Sequence, residues 1–81
     1  MNEKNDRIRA FITENFLFGD ADDLKDDTSF LGEGIIDSTG ILEVVAFLEE
    51  TYGITIEDEE LIPENLDSIV NVVQYLQKKG I

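Results

Sequence analysis

Ile8, Phe11, Ile12 and Phe16 recur at the spacing of one helical face, with Arg7, Arg9, Thr13 and Glu14 filling polar positions between them. The pattern predicts an amphipathic helix over roughly Glu3 to Phe18, stopped by Gly19. A second apolar face, Ile41, Val44, Val45, Leu48 and Tyr52, predicts a helix that begins at Asp37-Ser38 and ends at Gly53. Leu42, Ala46 and Phe47 widen that face, as suits a central helix touching several neighbours. Ile69, Val72, Val73 and Leu76 predict a third helix that starts near the capping pair Asp67-Ser68. Lys78 and Lys79 in its last turn complement the helix dipole.

Between these helices the pattern is weaker. Residues 20–37 form a long linker, acid-dense from Asp20 to Asp27 and then carrying apolar anchors. A structureless loop of that length is unusual in a compact domain. We therefore expect an ordered loop pinned by Leu24, Phe30, Leu31 and Ile36, with a short helical turn within it. Ile54-Thr55-Ile56 alternates like a strand but has no partner strand, so it reads as an extended link. Glu57 to Ile62 places acids ahead of apolar residues, which predicts a short helix stopped by Pro63. The expected fold is all-α: a small antiparallel four-helix bundle of three main helices and one short one, with the long ordered loop between the first two. Residues 1–81 are expected to be a single domain.

Composition narrows the chemistry. The chain has no cysteine and no histidine, which removes disulfides, zinc and iron–sulfur sites, Cys and His nucleophiles, and Ser-His-Asp triads. Its 19 Asp and Glu against 6 Lys and Arg give a formal charge of -13, which argues against nucleic acid and anionic membranes and favours basic protein surfaces. The polar start, Met1 to Asp6, is not followed by the apolar core of a signal peptide, and no apolar run approaches membrane-spanning length. A cytoplasmic monomer is expected.

Few residues are left to carry function. The acidic run from Asp20 fails as a calcium loop, with Leu24, Lys25 and Leu31 where a ligand, a glycine and a bidentate Glu are required. Asp20, Asp22 and Asp23 lie in a setting with no pocket to shift their pKa values for acid–base work. Gly32-Glu33-Gly34 matches no phosphate-binding loop. That leaves Gly34-Ile35-Ile36-Asp37-Ser38-Thr39-Gly40. Asp-Ser before an apolar run reads first as an ordinary helix cap; it also fits a hydroxyl exposed at a helix N-terminus, where the dipole and free amides favour an attached phosphodiester.

Several features taken together resemble the acyl carrier protein family. They are the amphipathic first helix, the acidic linker, Thr28-Ser29-Phe30, Asp37-Ser38, the acidic helix from Glu43 to Glu50, Tyr52-Gly53-Ile54 with Ile56, and Tyr75-Leu76 in the last helix. The resemblance covers nearly the whole chain. It implies a non-catalytic carrier whose Ser38 receives 4′-phosphopantetheine from coenzyme A through a phosphopantetheinyl transferase. The arm then carries acyl groups as thioesters. It implies docking of the acidic second helix, through Asp37, Glu43, Glu49 and Glu50, on basic patches of acyl-loading ligases or synthases. Thr39 and Gly40 depart from the leucine and polar residue usual after the serine, which points to Thr39 as a determinant of partner choice and to a specialised lipid or secondary-metabolite pathway. Two other readings stay open: an aminoacyl or peptidyl carrier, and an unmodified acidic adaptor for a basic protein surface.

Overall fold

The computed structural model describes residues 3–17, 19 and 24–81. Among them all regular structure is helical: α1 (Glu3–Phe16), α2 (Gly40–Tyr52), a single 3-10 turn (Asp58–Glu60), the one-turn α3 (Pro63–Leu66) and α4 (Ile69–Lys78). The apolar faces predicted by spacing do the packing. Ile8 and Ile12 of α1, Val44 and Leu48 of α2, and Ile69, Val72, Val73 and Leu76 of α4 are all buried in one core. Phe11 stacks on Phe47 with ring centroids 4.1 Å apart, which joins α1 to α2 at the edge of that core. Leu42 and Ala46 face solvent, so α2 is less enclosed than its sequence suggests.

From Leu24 onward the loop before α2 is pinned by three of the four anchors expected of it. Leu24, Phe30 and Ile36 are buried; Leu31 is not. Glu33 N–H donates to the Ser29 carbonyl at 3.0 Å, a helical turn inside the loop. The loop is also tied at two points to α4 and the residue pair before it: Phe30 N–H donates to the Asp67 carbonyl at 2.7 Å and Val70 N–H to the Asp26 carbonyl at 2.9 Å. From the other side, Arg9 of α1 donates to the Leu24 carbonyl at 2.5 Å and pairs with Asp26. Hydrogen bonding from the Asn5 side chain, then Arg9, holds the Asp26 carboxyl below its ordinary value.

Three boundaries differ from expectation. The first helix ends at Phe16 rather than Phe18. The second begins at Gly40, not at Asp37-Ser38. The third difference concerns Pro63, which opens α3 instead of ending a helix, because proline needs no N–H partner at a first helical position. The acidic stretch before it makes only the 3-10 turn, closed by reciprocal bonds between Glu57 and Glu60. Two expectations held in detail. Ser68 caps α4, accepting from Asn71 N–H at 3.2 Å. Gly53 ends α2 with φ 66°, a left-handed conformation that a β-carbon disfavours. The acidic positions Asp20, Asp22 and Asp23 lie outside the described residues.

Candidate functional site

The residues before α2 resolve the ambiguity of Asp37-Ser38. Asp37 supplies the cap: its Oδ1 accepts Gly40 N–H at 2.6 Å and its carbonyl accepts Ile41 N–H at 3.1 Å. Thr39 has helical backbone angles and makes no side-chain cap, while its carbonyl accepts Leu42 N–H at 3.1 Å. Ser38 and Thr39 are exposed in the turn between. Among the described residues, none hydrogen-bonds to the Ser38 hydroxyl. The cap is thus built without Ser38, and its hydroxyl points to no structural duty. The amides of Gly40, Ile41 and Leu42 are already taken by Asp37 and Thr39. What the N-terminus of α2 offers an anion is its dipole.

Gly40, a residue that costs a helix about 1 kcal/mol relative to alanine, is buried. A β-carbon there would stand 2.8 Å from Ile36 Cγ2, 3.1 Å from Phe16 Cε1 and 3.3 Å from Asp37 Oδ1. The glycine lets the end of α1 and the loop close over the start of α2. It holds the capping aspartate in place by leaving room for it.

One flank of Ser38 is an apolar groove of about 190 Å³, lined among others by Leu31, Ile41, Leu42, Ile62 and Leu66. Leu31, Leu42 and Ile62 are 41%, 57% and 40% exposed, and these exposed large apolar side chains all line this one groove. Sequence reading missed it. Its signal in the sequence is Leu42, which widens the apolar face of α2 by spacing but lines the groove instead of the core. The other flank is a more polar hollow that brings Asp37, Thr39 and Glu43 together with Asn15 and Phe16. Glu50, exposed, is on the face of α2 that bears Glu43, two turns further on. Glu49 stands apart from this group: it is half-buried, and its carboxylate accepts Ile56 N–H at 2.9 Å, tying down the link after α2. No lysine or arginine occurs between Lys25 and Lys78, and the charged residues lining the groove and the hollow beside Ser38, Asp67, Asp37 and Glu43, are all acidic. Among the described residues no cluster of acidic side chains is arranged to hold a metal ion, and no helix is long and apolar enough to cross a membrane.

Ser38 thus stands exposed on the rim of an apolar groove, outside the cap that Asp37 makes. Comparison with known proteins identifies the family. Residues 6–76 match the family described as phosphopantetheine attachment site. The chain is 38% identical over 74 residues to the acyl carrier protein of Bdellovibrio bacteriovorus, covering 91% of both chains. It is 33% identical to that of Helicobacter hepaticus, covering 86% of this chain and 88% of the relative. The chain belongs to the acyl carrier protein family, whose members are non-catalytic carriers bearing a covalent 4′-phosphopantetheine. Its fold also matches a chain in a solved structure titled "Crystal structure of FAD-dependent dehydrogenase", with TM-score 0.75 and 30% identity over 85% of this chain and 97% of that one.

Proposed function

We propose that Ser38 is the residue that takes 4′-phosphopantetheine from coenzyme A, and that the chain carries acyl groups to partner enzymes on that arm. The observation that carries this reading is the Ser38 hydroxyl: exposed, left out of the cap by Asp37, and opening on the apolar groove. The residues fit the group. The arm supplies the thiol that a chain without cysteine lacks, and with it the thioester linkage. The α2 dipole favours the phosphodiester, and the groove offers apolar surface to a chain that folds back. Incubation with coenzyme A and a broad-specificity phosphopantetheinyl transferase tests this by intact mass: the wild type gains one arm and Ser38→Ala gains none.

Docking belongs to the same reading. Asp37, Thr39, Glu43 and Glu50 form the face offered to a phosphopantetheinyl transferase and to acyl-loading ligases or synthases with basic patches. Glu49 contributes charge but is committed to Ile56. Attraction between such surfaces acts chiefly on the rate of encounter. Thr39 stands on this face beside Ser38, where it bears on which partners fit and on a specialised rather than general pathway. The likeness to a chain in a structure titled for an FAD-dependent dehydrogenase favours a flavin-dependent oxidising enzyme among the partners. A cytoplasmic setting follows from this role.

A further inference from the structure

Asp67 sits between α3 and α4 and is bonded across the fold to the loop that leads into the site. Its Oδ1 accepts Leu31 N–H at 2.9 Å, its Oδ2 accepts the Ser29 hydroxyl at 2.5 Å, and its carbonyl accepts Phe30 N–H at 2.7 Å. Ser29 Oγ in turn accepts Gly32 N–H at 2.9 Å. Asp67 and Leu31 both line the groove beside Ser38. Phe30 is fully buried, so packing fixes the loop on one side of this peptide. On the other side Leu31 is 41% exposed, and burial of its own side chain holds it only weakly. The Asp67 carboxylate fastens the Leu31 N–H across the fold, while within the loop the Leu31 carbonyl accepts Gly34 N–H at 3.2 Å. Removing the carboxylate takes the partner from both donors, the part-buried Ser29 hydroxyl and the Leu31 N–H at the exposed rim.

We propose that Asp67 is a positioning residue for the cargo: by holding the Leu31 backbone it fixes one wall of the groove and sets how much of an acyl chain the groove shields. This rests on the carrier reading of Ser38. An apolar cavity of about 150 Å³ accommodates benzene. On that scale the groove, about 190 Å³, covers roughly six to eight carbons of a straight chain. Carbons beyond that stay in water and add no protection.

The test uses the full chain loaded at Ser38 with straight acyl groups from acetyl to dodecanoyl. Thioester hydrolysis is followed by intact mass, with the unfolding temperature of each species measured alongside. In the wild type, hydrolysis slows as the chain lengthens and levels off near octanoyl. Asp67→Ala speeds octanoyl hydrolysis several-fold and leaves acetyl hydrolysis unchanged. Asp67→Ala combined with Leu31→Ala is no faster than Leu31→Ala alone, since the first acts through the second. Equal acceleration of acetyl and octanoyl, multiplying effects in the double variant, or wild-type behaviour of Asp67→Ala each overturns the proposal. If Asp67→Ala does not fold, Ser29→Ala decides: a smaller acceleration confined to the longer chains supports it, and none overturns it. A chain that gains no mass at Ser38 overturns the carrier reading and this proposal together. A loaded chain indifferent to Asp67 overturns only the proposal.

Discussion

Asp37 Oδ1 accepts the backbone N–H of Gly40 at 2.6 Å, and this single bond takes the capping duty away from Ser38. The cap and the charge of Asp37 are separable. Asp37→Ala loses the cap and is expected to destabilise the protein by about 0.5–2 kcal/mol. Asp37→Asn keeps an acceptor oxygen and retains most of that stability, while losing one charge from the docking face. Urea unfolding of the two variants, with modification rates at Ser38, checks this: both should be modified more slowly, and only Asp37→Ala should be less stable.

Gly40→Ala sets two effects against each other. Helix propensity alone favours alanine by about 1 kcal/mol. Overpacking a fitted site costs about 1–3 kcal/mol, and here the new methyl would meet Ile36 Cγ2 at 2.8 Å and the Phe16 ring at 3.1 Å. Packing wins, so unfolding should show a net loss of up to about 2 kcal/mol. A variant more stable than wild type would contradict the close approach of α1 to the start of α2.

Glu49 and Glu50 are neighbours with different work. Glu50→Gln should leave stability unchanged and slow encounter with basic partners, an effect that fades as salt is added. Glu49→Ala should also destabilise, by about 1 kcal/mol, because Ile56 N–H loses its acceptor. Thermal unfolding and association rates at two salt concentrations separate the pair.

The Lys79–Glu60 ion pair, 2.9 Å long, fastens the 3-10 turn to the end of α4. The Glu57 backbone N–H, then Lys79, holds the Glu60 carboxyl below its ordinary value of 4.5. Glu60 in turn raises Lys79 above its ordinary 10.5. A depressed carboxyl stabilises the fold above its unfolded value and loses that contribution as pH falls through the folded one. A raised lysine stabilises below its unfolded value and loses the contribution as pH rises through the folded one. The unfolding temperature of wild type minus that of Lys79→Met should therefore be greatest around neutrality and shrink toward both the acid and the alkaline limit. Taking the difference cancels the relief of negative charge that acid brings to both proteins. A difference independent of pH would contradict the pair's role.

Much of this was legible in the chain. The three long helices follow from apolar spacing, and the buried positions Ile8, Ile12, Val44, Leu48, Ile69, Val72 and Leu76 are those the spacing selects. Two errors share one cause, the ends of elements. Asp37-Ser38 read as one capping unit because both residue types cap well; only the bond to Gly40 distinguishes them. Pro63 read as a stop although proline is equally at home at a helix start. The groove and the Asp67 tie were illegible for a different reason. They depend on residues 36 and 38 positions apart meeting across the fold, and no local pattern encodes that.

The central claim is that the Ser38 hydroxyl is the attachment point. Intact mass after incubation with coenzyme A and a phosphopantetheinyl transferase measures it directly. The account predicts a gain of one 4′-phosphopantetheine on the wild type and none on Ser38→Ala, with Ser38→Ala keeping wild-type stability because Asp37 makes the cap. No gain on the wild type, or an undiminished gain on Ser38→Ala, would contradict it.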